Sequence, residues 1–251
     1  MLKKIQLAIV ILCVSACTTT HSPGTTKAQE NKKNIKTALI NTQLGMSYLQ
    51  RHDMQTAKQK LLLAIQEGPT IPEPWYAMAY YLEITGDNAE ADQYYQKAIA
   101  IAPRNGEAHN NYGTYLCRNG NYTAAISNFM DAVQDPQYLD SASAYENAGL
   151  CALKIPDHKL AMSYFARALK QDPNLPTSLI ESAQYEYQLK DYAAAKEHLR
   201  EFLTIAPATD QSRILSAELG QRLGYLKAAS TPLKALQPLP APGNLGDVRW
   251  S

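Results

Sequence analysis

Several things are scarce in this chain of 251 residues. It has almost no charge of one sign: 24 Lys+Arg stand against 23 Asp+Glu, a formal net charge of +1. Nucleic-acid binders carry a basic face or a high pI, so no nucleic-acid partner is expected. Four Cys are far too few for a disulfide-built miniprotein. Catalytic signatures are missing too. The His residues stand at 21, 52, 109, 158 and 198, with no HExxH and no ligand pair one helical turn apart. There is no GxSxG, no Walker loop and no GxGxxG after a strand. His109-Asn110-Asn111 reads as a satisfied polar helix face rather than a catalytic base. The expectation is a non-enzyme with no metal, no cofactor and no small-molecule substrate. What is present is a globular composition, 45% apolar and 19% charged. It includes 35 Ala, about twice ordinary usage. Ala is the best helix former and the smallest helical side chain, so close-packed helices are expected.

The N-terminus reads as an address. Lys3-Lys4 precede an apolar run from Ile5 to Val14, broken only by Gln6, and the small residues Ser15-Ala16 lead into Cys17. This is the n-region, h-region and small-residue end of a signal peptide over residues 1–16. A run of this length cannot span a hydrocarbon core, which needs about 20 residues. Val14-Ser15-Ala16-Cys17 resembles a bacterial lipobox, which implies diacylglycerol on the Cys17 thiol, cleavage before it and acylation of the new amine. Two or more acyl chains give stable anchoring. Thr18, where an Asp would favour inner-membrane retention, points to the outer membrane. Residues 17–37 then read as lipid anchor and flexible tether, polar and without apolar periodicity.

A fixed period organises the rest. Pro69, Pro103, Pro173 and Pro207 end apolar helical segments. The first and last pairs are 34 residues apart, and the middle step is two such periods plus two extra residues, Asp140-Ser141. A 34-residue period is the mark of tetratricopeptide (TPR) helix-turn-helix repeats. Five repeats fit at 38–71, 72–105, 106–139, 142–175 and 176–209, with a degenerate sixth at 210–243 and a tail at 244–251. Spacings of three and four put the seventh and eleventh repeat positions on one helix face, and the twentieth, twenty-fourth and twenty-seventh on one face of the next. Gly or Ala at the eighth, twentieth and twenty-seventh lets the two helices approach closely. Gly86, Gly120 and Gly224 fall at the inter-helix turn, where a left-handed backbone costs Gly little. The predicted fold class is an all-α TPR superhelical solenoid of about six repeats.

A TPR stack presents the first helix of each repeat on its concave face. The expected exposed positions supply a partner-binding groove of Leu39, Thr42, Met46, Leu49, Tyr76, Tyr80, Asn110, Thr114, Glu146 and Leu150, with Glu73, Glu83 and Glu107 beside them. Tyr offers a rigid contact surface with a polar end, and Asn can bond an extended peptide backbone. Tyr81, Tyr94, Tyr95 and Tyr112 read instead as packing between repeats. Cys117 and Cys151 fall on adjacent first helices. After export they suit either a disulfide stapling the third repeat to the fourth, or two small buried apolar side chains.

Four segments carry a narrower resemblance. Asn110-Asn111-Tyr112-Gly113-Thr114-Tyr115-Leu116-Cys117, Ala132-Val133-Gln134-Asp135-Pro136-Gln137-Tyr138, Glu146-Asn147-Ala148-Gly149-Leu150-Cys151 and Tyr164-Phe165-Ala166-Arg167-Ala168-Leu169 resemble stretches of the PilF/PilW family of type IV pilus biogenesis and stability lipoproteins. The resemblance covers essentially the whole mature chain and is thinnest in the fifth and sixth repeats and the Pro-rich tail. It implies a pilotin: an outer-membrane lipoprotein facing the periplasm, which binds the pilus secretin and promotes its localisation and multimerisation. TPR lipoproteins of outer-membrane protein assembly, or of peptidoglycan-synthesis regulation, share the anchor and the scaffold but lack these segments.

Overall fold

The computed structural model describes residues 27–223, which form eleven helices with no strand among the described residues. They are α1 (Lys27–Gln50), α2 (Met54–Glu67), α3 (Glu73–Thr85), α4 (Asn88–Ile101), α5 (Gly106–Arg118), α6 (Tyr122–Ala132), α7 (Ser141–Ala152), α8 (His158–Gln171), α9 (Pro176–Gln188), α10 (Tyr192–Ile205) and α11 (Asp210–Arg222). Successive pairs from α1/α2 to α9/α10 are antiparallel hairpins. Each second helix packs on the first helix of the next repeat, and the first helices α1, α3, α5, α7, α9 and α11 also touch one another in sequence. This is the all-α TPR solenoid. α11 opens the sixth repeat. The rest of that repeat, the tail, the signal peptide and Cys17 lie outside the described residues.

Residues 27–37, expected as tether, are instead the first turns of α1. Ala28, Gln29, Glu30, Lys32 and Lys33 are strong helix formers, and here that intrinsic preference acts without any apolar periodicity. The Thr37 hydroxyl bonds back to the Lys33 carbonyl at 3.0 Å, within the same helix.

Helix starts are set by short polar side chains. Asp53, Asp157 and Asp191 accept from the backbone N–H groups of Thr56, Leu160 and Ala194, and Asn105 from that of Ala108. These bonds satisfy donors that an N-terminus otherwise leaves open. The hairpin turn has one repeating requirement, a left-handed residue at the fifteenth repeat position. Gly86 (φ 89°) and Gly120 (φ 81°) meet it as expected, while His52 (φ 60°) and Lys190 (φ 65°) meet it at a conformational cost. In the fourth repeat the position is Pro156, whose ring forbids that conformation, and the chain turns by a different path.

Small residues hold each hairpin shut. Ala57, Ala64, Ala91, Ala98, Ala125, Ala132, Ala161, Ala168 and Ala195 are fully buried on the second helices. At the eighth position the space is smaller still. A Cβ on Gly45, Gly113 or Gly149 would come within 2.7, 2.8 or 2.6 Å of Leu61, Phe129 or Phe165 respectively. The fifth repeat carries Phe202 where the others carry Ala, and there the ring is buried.

The buried apolar residues fall into two clusters. One runs from Leu49 of α1 to Phe165 of α8, and the other from Leu179 of α9 to Leu219 of α11. Between them, α9 presents Ser178 and Ser182, both buried, where α3 presents Pro74 and Met78 and α7 presents Ala144 and Ala148. The Glu146 carboxylate of α7 accepts from the Ser178 N–H at 3.0 Å and from its hydroxyl at 2.8 Å. At these two positions of the first helix the contact is thus polar in the fifth repeat where it is apolar in the second and fourth.

Candidate partner-binding groove

The first helices line one face of the stack, and the expected groove residues divide there. Leu39 is exposed, and Met46, Tyr80, Thr114, Glu146 and Leu150 are half-buried. Thr42, Leu49, Tyr76 and Asn110 are buried, which corrects their assignment as open contact surface. For Tyr76 and Asn110, at the fifth repeat position, the reason is contact with the next repeat's first helix. The Tyr76 hydroxyl donates to the Glu107 carboxylate of α5. The Asn110 side-chain oxygen Oδ1 accepts from Asn147 Nδ2 of α7 at 3.1 Å. Thr42 and Thr114 return their hydroxyls to the carbonyls of Ala38 and Asn110, both at 2.9 Å.

Glu73, Glu107 and Glu146, on α3, α5 and α7, are all partly removed from water. Burial pushes each carboxyl above its ordinary range. For Glu107 the Tyr76 hydroxyl partly offsets that rise, and for Glu146 the Ser178 donors do the same. Glu73 keeps one carboxylate oxygen buried without a hydrogen-bond partner. Nearby, Glu83 receives Arg118 Nη1 at 3.1 Å, a bond between α3 and α5.

The tyrosines read as packing do pack. Tyr95 is fully buried, with ring centroids 5.7 Å from Tyr112 and 5.1 Å from Tyr115. Tyr112 donates to Asp92 Oδ1 at 2.9 Å, Tyr115 donates to the Asn88 carbonyl at 2.7 Å, and Tyr94 leans on Trp75. His109 is buried, with Nδ1 3.0 Å from Asn128 Oδ1 and Nε2 3.0 Å from the Pro103 carbonyl, so neither nitrogen faces a substrate-sized space. Cys117 and Cys151 are disulfide-bonded across α5 and α7, with Cα atoms 5.8 Å apart. Among the described residues no group of three or more His, Cys, Asp or Glu is arranged to hold a metal ion. No helix among them is long and apolar enough to cross a membrane.

Two surfaces escaped the repeat pattern. At the N-terminal end, Ile40 and Leu44 hold the third and seventh repeat positions. Those positions are buried in α3 as Pro74 and Met78, yet Ile40 is 47% and Leu44 40% exposed. No preceding second helix covers them among the described residues. Counting repeats would have found this, since no repeat precedes the first among the described residues. At the other end an apolar cleft opens between α9, the end of α10 and the start of α11.

Tetratricopeptide-repeat family profiles match residues 72–105, 94–127, 113–176 and 177–209. The type IV pilus assembly protein PilF of Pseudomonas aeruginosa is 28% identical over 220 residues, 86% of each chain. The solved structure of Pseudomonas aeruginosa PilF superposes with a TM-score of 0.73 at 27% identity, covering 78% of this chain and 89% of that one. The crystal structure of PilW, a widely conserved type IV pilus biogenesis factor, does so with a TM-score of 0.65 at 26% identity, covering 76% and 88%. In sequence and in architecture alike, the chain is a PilF/PilW-like tetratricopeptide-repeat protein.

Proposed function

We propose that this protein is a type IV pilus biogenesis factor. In this reading it is an outer-membrane lipoprotein, anchored through acyl chains on Cys17, that binds the pilus secretin and promotes its localisation and multimerisation. The similarity to PilF over most of both chains carries the reading. The work is done by placement: acyl chains hold the solenoid at the periplasmic face of the membrane, and a captured secretin subunit reaches a high local concentration where a ring can form. The role is non-catalytic, in keeping with a scaffold in which Asp92, Glu83 and Glu146 are taken up in bonds between repeats.

The docking surface is the N-terminal part of the stack. Leu39, Met46, Tyr80 and Leu150 supply apolar and aromatic area on the concave side, and Ile40 and Leu44 extend it around the open end. Exposed apolar area of this kind, bordered by polar residues, marks an interaction surface. Two variants test the reading. Cys17→Ala should leave the fold unchanged and leave secretin multimers out of the outer membrane; normal multimers in that strain would refute the tether. Ile40→Asp with Tyr80→Ala should lose capture of detergent-extracted secretin in a pull-down. Unchanged capture would move the docking surface elsewhere, and no capture by the unaltered protein would refute the secretin partner.

A further inference from the structure

The cleft at the C-terminal end has a volume of about 390 Å³ and is lined by Pro176, Ile180, Phe202, Ala206, Thr209 and Glu181. It exists because a space filled earlier in the stack is left open here. In the third repeat the matching space, beside the first residue of α5 and the end of α6, is taken by Tyr138. That side chain lies so close that a Cβ on Gly106 would meet it at 2.5 Å. In the second repeat the buried Tyr76 occupies the fifth position of α3. In the fifth repeat the residue matching Tyr138 is Ala208 and the fifth position is Ile180, so neither of those positions supplies a ring; the one aromatic ring in the lining, Phe202, stands where the earlier repeats carry Ala.

We propose that this cleft is the docking site of the chain's own C-terminus, with the Trp250 indole filling it and Arg249 paired with Glu181. The proposal does not depend on the pilus role. The described residues end at Leu223, just past α11, while the cleft lies at that helix's other end, roughly 20 Å away for its 13 residues. Two aromatic residues follow Leu223 in the sequence, Tyr225 and Trp250. Two residues of chain extend at most about 7 Å, so Tyr225 falls short. The 27 residues from Leu223 to Trp250 are ample, since even a random coil of that length averages roughly 30 Å end to end. Charge agrees with reach. Glu181 is half-exposed, and its recorded hydrogen bond is a long one, 3.4 Å from Gln211 Nε2, which leaves acceptor capacity for the guanidinium next to Trp250. An aromatic ring with a neighbouring cation is the chemistry this cleft fits. Because the ligand is tethered, a weak contact suffices to keep the site occupied.

The test uses the full mature chain with Cys17→Ser, so that no acyl group interferes. Trp250 fluorescence is obtained by subtracting the spectrum of the same chain carrying Trp250→Phe, which leaves the helical stack untouched. Docking predicts a blue-shifted Trp250 component that acrylamide quenches less than in the urea-unfolded chain. Glu181→Lys should lower the docked-to-free ratio about fivefold, the factor an exposed ion pair of this kind carries. Ala206→Leu, which adds bulk to the cleft lining, should release the indole. A fully quenchable Trp250 in the parent chain overturns the proposal. So does protection that both cleft variants leave unchanged, which would place the ring elsewhere. Protection that rises with protein concentration also overturns it, because the occupant would then be a second copy.

Discussion

The first four repeats and the last two are built to the same period and held together differently. From α1 to α8 one apolar cluster runs without a break, and a disulfide ties α5 to α7. From α9 to α11 a smaller cluster stands apart, joined to the first through Ser178 and Glu146, with Leu169 of α8 packed against it. In a solenoid each repeat contacts only its neighbours, so stability is close to a sum of repeat and interface terms, and one weak interface divides the whole. The period is a statement about shape; it carries no guarantee of uniform strength. Hydrogen exchange should therefore show the amides of α9–α11 opening at lower free energy than those of α3–α8.

The sharpest way to blur this contrast is to cut the staple. Cys117→Ser with Cys151→Ser should cost about 3–4 kcal/mol, the chain entropy returned to the denatured state when a loop of 34 residues is released. Exchange protection should fall in α5–α7 and hold in α9–α11. A smaller break in the same block is Gly149→Ala, whose new methyl would stand 2.6 Å from the Phe165 ring. The expected loss is about 1–3 kcal/mol by denaturant titration. Ser178→Ala acts on the junction itself. It removes a hydroxyl donor to a carboxylate, a bond worth about 1.5–3 kcal/mol at full strength, and the Ser178 N–H that remains should keep the loss near the lower figure. Unfolding should then separate more clearly into two transitions.

Acidification should sharpen the contrast from the other side. Glu73, Glu107 and Glu146 have folded pKa values raised by burial. A carboxyl raised in the folded state contributes stability that is present below its unfolded pKa and lost as pH rises through its folded one. His198, raised chiefly by its bond to Glu186 at 2.8 Å, acts in the same sense near neutrality. Melting temperature should accordingly rise from pH 7 toward pH 5, and Glu107→Gln should flatten that slope. The smallest expected effects are gains. His52→Gly and Lys190→Gly relieve left-handed residues and should each add up to about 1 kcal/mol, one in each block.

These effects also mark what could be read from the chain alone. Ala57, Ala91 and Gly113 announce close helix contact through size, and size is written in the letter itself. Gly86 and Gly120 announce the turn for the same reason. His52 and Lys190 occupy the same backbone state and were invisible, because neither residue type prefers it. The concave side was harder. Tyr76, Thr42, Leu49 and Asn110 sit at positions expected to be open but are buried, and for Tyr76 and Asn110 the cause is a partner on the next repeat, which one repeat's pattern does not contain. The helical start of α1 was missed because a solvated helix carries no apolar stripe. The exposed Ile40 and Leu44 needed only the thought that no described repeat precedes the first.

The position of the disulfide has a consequence in time. On the export reading proposed above, the chain enters the oxidising compartment N-terminal part first, so residues 27–171, with both bonded cysteines and the whole of the larger core, arrive there before α9 has crossed. The first four repeats can settle and oxidise as a finished template. The last two then fold as additions to its edge, meeting a surface whose hydrogen-bonding acceptor, Glu146, is already in place.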